Sequence, residues 1–163
     1  MSTPTAGAEL AEGQVVGVLE VALWTGGTVV GRGIAVDDSC IRAFWELKGK
    51  PDVNTVIFRL GDSADSLLVE DQSNLTHDEL LLALPADQPR LVLYDLPFAS
   101  ADGTRHNKIV SICWLPAATG PRDGSAYGQA QAALADALDG DQVAIVATAL
   151  SDLDYPRLVA QAG

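Results

Sequence analysis

The sequence predicts a single α/β domain, a mixed central sheet of about five strands sandwiched by helices. Three observations lead there. Two pairs of short β-branched and aromatic runs are joined by turn residues, 55–60 with 66–70 and 90–98 with 108–114. Segments of helical periodicity precede the first pair, separate the two pairs and follow the second. A last strand-like run, 142–148, lies between two helical segments, so helices are available to cover both faces of the sheet.

The chain is organised around the stretch from Lys108 to Leu138. Lys108 to Trp114 reads as a buried strand, bounded by a polar turn before it and by Pro116 after it. A loop from Leu115 to Arg122 follows. The long helix then runs from about Asp123 to Leu138, with Asp123 as its N-cap, apolar positions at Ala126, Ala130, Ala133, Leu134, Ala137 and Leu138, and Gly140 as its stop. Arg122 therefore stands at the helix entrance, where a partner can reach it.

The other elements follow from local signals. Residues 1–14 are small, polar and acidic, and a mobile tail is expected. Val16, Val18, Val21 and Leu23 suit a strand, which Thr25-Gly26-Gly27-Thr28 turns into a short hairpin with Val29 and Val30. Asp37 or Asp38 caps a helix through Lys48 whose apolar face is Cys40, Ile41, Phe44, Trp45 and Leu47. Thr55–Leu60 and Ser66–Glu70 form a hairpin, and Thr76 with Glu79 makes a capping box for a helix ending at Leu84. Arg90–Phe98 pairs with Lys108–Trp114 across the turn Ala101-Asp102-Gly103-Thr104. Gln142–Thr148 is the final strand; Asp152–Ala162 is the final helix, capped by Asp152, with Pro156 in its first turn. The expected division is an N-terminal extension, 1–32, partly disordered, and a domain, 33–163.

Composition narrows the function. At 163 residues, 48% hydrophobic and 20% charged, the chain suits one globular domain with a sizeable core. A net charge of -12 argues against nucleic acid and anionic membrane as bulk partners, since both repel it. Cys40 and Cys113 lie in apolar settings and read as reduced core thiols of a cytosolic protein. The run Val15–Val30 is broken by Glu20 and glycines and is too short to span a bilayer; Glu9 and Glu12 before it do not suit a signal peptide. The sequon Asn74-Leu75-Thr76 then has no role.

Catalysis finds no support in the residues. There is no nucleophile elbow, no phosphate-cradling glycine loop and no metal-ligand spacing. His77 falls in a capping region and His106 at a hairpin end. Asp136, Asp139 and Asp141 lack the ligand order of a calcium loop. A non-enzymatic protein without cofactor or metal is expected.

The run Leu84-Pro85-Ala86-Asp87, then Arg90 to Phe98, then Lys108-Ile109-Val110 through Trp114-Leu115-Pro116 resembles the ADF/cofilin family of actin-depolymerising proteins. Upstream, Gly33 to Cys40, Leu47-Lys48 and Val56-Ile57-Phe58 match the family's opening. Downstream, Ala133 to Leu138, Asp139-Gly140, Gln142-Val143, Ala147-Thr148 and Asp152-Leu153 match its close. The ordered set covers about residues 33 to 162.

The resemblance implies a cofilin-like fold and a monomeric cytoplasmic protein of the actin cytoskeleton that binds actin monomers and filaments. The monomer-facing set it implies is Arg32, Gly33, Ile34, Arg122, Asp123, Ser125 and Gln131, with Tyr127 retained; the filament-facing set is Arg105, His106 and Lys108. Departures matter. Gly124, Ser125 and Gln131 stand where the family carries a Lys, a Met and a second basic residue. Each missing interaction should weaken actin and phosphoinositide binding by about 1 kcal/mol or more. Arg32 occupies the position of the family's phosphorylated serine, so that switch cannot operate. Ala160 and Gln161 replace the charged filament contacts of the last helix, which implies weakened severing. The alternative is a relative with another cytoskeletal partner, coactosin-like or glia-maturation-factor-like.

Overall fold

The computed structural model describes residues 24–25, 28–31, 33–138 and 142–162, and of 24–31 the backbone pairing alone. Its elements are β1 (Trp24–Thr25), β2 (Thr28–Gly31), β3 (Ile34–Asp37), α1 (Asp38–Gly49), β4 (Thr55–Leu60), β5 (Ser66–Ser73), α2 (His77–Ala83), β6 (Arg90–Ala99), β7 (Arg105–Trp114), α3 (Pro121–Ala137), β8 (Val143–Ala147), a 3₁₀ turn (Leu150–Leu153) and α4 (Tyr155–Ala162). The strands form one mixed sheet in the order β1-β2-β3-β5-β4-β6-β7-β8. β3 runs parallel to β5 and β8 parallel to β7, while the remaining pairs are antiparallel.

The expected sandwich is present, with more strands than the expected five or so because three short ones extend one edge. The hairpin expected around Gly26-Gly27 is seen as Thr25 opposite Thr28. β3 went unread in the sequence because four residues are too few for alternation to stand out, yet its Ile34 and Val36 are buried. β2 pairs with β3 along its length, so the sheet continues across the boundary expected at residue 33. The strand expected over Val16–Leu23 and the tail before it lie outside the described residues.

Each face of the sheet carries two helices. Alternation along β6 sends Leu91 and Leu93 to one face and Val92, Tyr94 and Leu96 to the other. On the first face, Phe44 and Leu47 of α1 and Tyr127, Ala130, Ala133 and Leu134 of α3 close the core. Burying Phe44 and Leu47, 1% and 2% exposed, contributes roughly 1.5–3 kcal/mol each. On the second face, Leu80 of α2 and Leu158 of α4 do the same work.

Caps fix where the helices begin. Asp37 caps α1 by accepting from the Ser39 N–H at 3.1 Å. The Thr76/Glu79 box is formed in both directions, at 2.8 and 3.1 Å. Two caps differ from expectation. α3 starts at Pro121 with Gly120 as N-cap, and Asp123 lies inside its first turn; proline's fixed φ and missing N–H make it a natural first residue, and this outweighs a carboxylate two positions later. Asp152 does not cap α4. Its carboxylate accepts from the Thr148 and Ala149 N–H groups at 3.0 and 3.2 Å, closing the turn that precedes that helix. Pro156 falls in the first turn of α4, as expected.

Candidate functional site

Two polar surfaces lie at opposite ends of the long central strands. β7 leaves the β6–β7 turn at Arg105 and ends at Trp114, shortly before α3 begins. Ten residues of strand place the turn and the helix entrance roughly 30 Å apart.

At the entrance, Arg122, Asp123 and Ser125 are all exposed on the first turns of α3. Arg122 forms no ion pair with another described residue, so its guanidinium remains available to a partner. The helix beneath it is locked in place. The Leu60 N–H donates to the Tyr127 hydroxyl oxygen at 3.0 Å, joining α3 to the end of β4. Beside that bond lies a cavity of about 280 Å³ lined by Arg59, Arg90, Asp62 and Asp123 among others. Glu70 holds both of its arginines, Arg90 at 3.1 Å and Arg59 at 3.8 Å.

Two members of the expected monomer-facing set point inward instead. Gln131 is 9% exposed, and its Nε2 donates to the Ser111 carbonyl at 2.9 Å and the Ile145 carbonyl at 3.2 Å, so it pins α3 to β7 and β8. Its place between Tyr127 and Leu134, one turn from each, was the signal that it belongs to the buried stripe. Ile34 is 3% exposed and packs in the first-face core. Gly33, exposed, adopts φ +81° in the turn between β2 and β3, a conformation that favours glycine. Arg32 lies outside the described residues.

At the far end, the turn between β6 and β7 is tightly made. Asp102 Oδ1 accepts from the Thr104 N–H at 2.9 Å and from the Ser100 hydroxyl at 2.5 Å. Gly103, at φ +85°, completes the reversal. Arg105 and His106 are exposed and Lys108 is half-buried. Alternation from the buried Val110 puts His106 and Lys108 on the face that carries α4, and Arg105 on the opposite face. The His106 ring stacks on its cross-strand partner Phe98 at 5.3 Å between centroids. Tyr155, the first residue of α4, donates its hydroxyl to the Pro97 carbonyl at 2.6 Å. Phe98 and Tyr155 were not singled out in the sequence. Their apolar character reads as core, and only the fold brings them beside His106.

Nothing described points to catalysis. Burial pushes the Cys40 thiol up to about 12 and Cys113 to about 11, which keeps both protonated. Desolvation also raises Asp95 and Tyr94, but neither faces a nucleophile or an activated base. Among the described residues no cluster of His, Cys, Asp and Glu suits a metal; Asp139 and Asp141 lie outside them. No described helix is long and apolar enough to cross a membrane.

Comparison with known proteins agrees with this geometry. Residues 33–163 match the family model described as cofilin/tropomyosin-type actin-binding protein. Actin-depolymerizing factor 10 of Oryza sativa subsp. japonica is 34% identical over 140 residues, covering 82% of this chain and 93% of that protein. Actin-depolymerizing factor 3 of Arabidopsis thaliana is 31% identical over 124 residues, covering 75% and 89%. Among solved structures, cofilin of Streptomyces griseoflavus superposes with a TM-score of 0.71 at 25% identity, over 80% of this chain and 98% of that one. Actin depolymerization factor 2 of Plasmodium berghei gives a TM-score of 0.69 at 19% identity, over 80% and 96%.

Proposed function

Because the chain belongs to the cofilin/ADF family of actin-binding proteins, we propose that it binds actin monomers through the α3 entrance and filaments through the β6–β7 hairpin. It then promotes filament depolymerisation, with severing weakened, and works as a monomer on the cytoplasmic actin cytoskeleton. The observation that carries this reading is the exposed guanidinium of Arg122 on a helix anchored by Tyr127 and Gln131. An arginine held on a rigid support can donate paired charge-assisted hydrogen bonds to a carboxylate of the partner. The relatives it resembles over most of their length, named actin-depolymerizing factors, support the same assignment.

The separation of the two surfaces, on opposite ends of the sheet, supports simultaneous contact with two actin subunits. Weak severing is supported by α4, whose exposed Ala160 and Gln161 carry no charge. Arg122 is also the one cation in α3, so phosphoinositide contact there is weak. Pelleting with actin filaments and a monomer titration test the reading, and absence of binding to either at low salt would defeat it.

A second reading draws on Gly124, Ser125 and the inward-turned Gln131. With these in place of cations, the α3 surface also suits a relative that acts on another cytoskeletal partner, as coactosin-like and glia-maturation-factor-like proteins do. A filament disassembly assay set against a debranching assay separates the two.

A further inference from the structure

A cavity of about 410 Å³ opens on the second face of the sheet, between the loop 74–76, the first turn of α2, β6 and the start of α4. Its walls are fixed by bonds already made. Asn54 donates to the Leu75 carbonyl and accepts from the Leu75 N–H, both at 2.8 Å, which holds the loop. The His77 ring sits with Nε2 2.6 Å from the Leu153 carbonyl; since a carbonyl only accepts, that nitrogen carries a proton. Tyr155, tied to the Pro97 carbonyl, meets His77 edge to face at 6.0 Å between centroids. A site whose walls are already settled loses little freedom on filling.

Between these walls stand oxygens that the fold leaves unused. Tyr94 is 3% exposed, lines the cavity, and its hydroxyl forms no hydrogen bond with another described residue. Burial first, then Tyr155 and Asp95, push this phenol up, so it stays a neutral hydroxyl. Glu79 gives Oε1 to the Thr76 N–H and keeps Oε2 open. The exposed Asn74 side chain is likewise unengaged among the described residues. All three can accept a hydrogen bond, whereas no Lys or Arg lines the cavity and Glu79 is its one carboxylate. The rings of Tyr94, His77 and Tyr155 add π surface, which attracts cations. A buried hydroxyl without a partner costs free energy, and a donor arriving there recovers it.

We propose that this cavity binds a small aliphatic ammonium ion, the end group of a diamine or polyamine, with the Tyr94 hydroxyl and the Glu79 carboxylate as its acceptors and its methylenes against the Tyr155 ring. Acceptors and ring faces with one negative charge suit a donor-rich cation and offer an anion nothing. Tyr94, Glu79, His77 and Asn74 belong to neither surface assigned to actin, so the two readings stand or fall separately. A chain of net charge -12 attracts any cation weakly, so the site is told from bulk charge by its hydroxyl.

An NMR titration of the full chain with 1,4-diaminobutane at constant ionic strength tests this, with 1,4-butanediol as the uncharged equivalent. The expected result is saturable shifts centred on Leu75, His77 and Tyr94 with the diamine and none with the diol. Tyr94→Phe removes only the hydroxyl and should weaken the diamine roughly three-fold or more, while melting no lower than wild type. Glu79→Gln keeps a capping-box residue and should weaken it roughly five-fold or more. Asp62→Asn, which removes an exposed charge at the other end of β4, should leave the affinity unchanged. If Glu79→Gln lowers the melting transition, Tyr94→Phe decides alone. Equal affinity for wild type and Tyr94→Phe, equal binding of the diol, shifts scattered over the acidic surface, or no saturable shift at all overturns the proposal.

Discussion

Gln131 donates its side-chain nitrogen to the carbonyl of Ser111 at 2.9 Å, beneath α3 and out of reach of any partner. Where relatives are expected to expose a cation, this chain has a structural anchor. Replacing it with Ala leaves two carbonyls without their donor, and an unsatisfied buried polar group costs about 1–3 kcal/mol. Gln131→Ala should therefore lower stability to urea by that amount while leaving monomer affinity unchanged for the fraction that is folded. A loss of affinity at wild-type stability would show that the side chain turns outward in solution.

Arg122 makes the opposite case. It is exposed and supports nothing in the fold, so Arg122→Ala should move stability by less than about 0.5 kcal/mol. A charge-assisted hydrogen bond to a partner is worth about 1.5–3 kcal/mol. Monomer binding should weaken roughly ten- to hundred-fold, by about 1.4 kcal/mol per decade. Arg122→Lys should recover part of it, because lysine keeps the charge but not the planar fork. Unchanged affinity in an actin monomer titration would remove the α3 entrance as the binding surface.

These two residues also show what the sequence made legible. Turn and cap chemistry read through well: the Thr76/Glu79 box, the Asp37 cap and the Ala101–Thr104 reversal depend on neighbours a few positions away. The caps expected at Asp123 and Asp152 were displaced by close neighbours, Pro121 and the Thr148–Ala149 turn, whereas the misplaced site residues depended on distant parts of the chain. Whether position 131 faces water is decided by the carbonyls of Ser111 and Ile145, and Ile34 is buried because its face of β3 packs into the core closed by α1 and α3. A residue-by-residue transfer from a family carries over the position and not its burial. The Phe98–His106–Tyr155 grouping needed the register of β6 on β7 together with the placing of α4, so no local pattern announced it.

The β6–β7 turn carries an acid-sensitive element. The Ser100 hydroxyl first, then the Thr104 N–H, hold the Asp102 carboxyl down to about 2 from 3.8. A carboxylate whose folded pKa lies below its unfolded one stabilises above the unfolded value and loses that contribution as pH falls through the folded one. The turn should thus be intact above about pH 4 and loosen between about pH 4 and pH 2. An NMR titration should place the Asp102 midpoint near the lower limit, with Ser100→Ala moving it upward and Asp102→Asn abolishing the acid step in Thr104 amide exchange. A wild-type midpoint at the ordinary aspartate value would mean that the turn's bonds do not persist in solution.

Cys40 and Cys113 are both fully buried, and burial is the leading cause of their raised thiol pKa values. Since the thiolate is the reactive form, an aromatic disulfide reagent at about pH 8 should label neither in the native protein and both in denaturant. Labelling should follow the rate of opening rather than reagent concentration. Prompt modification of either thiol under native conditions would contradict the packing of α1 and α3 on the first face.

Gly124 offers a test in which stability and binding part company. A Cβ there would meet only Leu115 Cδ1, at 3.9 Å, which is ordinary contact. Glycine inside a helix costs about 1 kcal/mol relative to alanine, so Gly124→Ala should stabilise by nearly that amount and leave monomer affinity alone. Gly124→Lys relieves the same backbone cost, but a cation near a helix N-terminus opposes the macrodipole by roughly 0.3–1 kcal/mol, so its net gain in stability should be smaller. On the proposed surface, though, the new ammonium joins Arg122 in the opening turns of α3 and restores a charge expected there, so monomer binding should tighten several-fold and become more salt-sensitive. Equal affinities for the Ala and Lys variants would show that the α3 entrance meets no acidic partner surface, even if both variants are more stable than the parent chain.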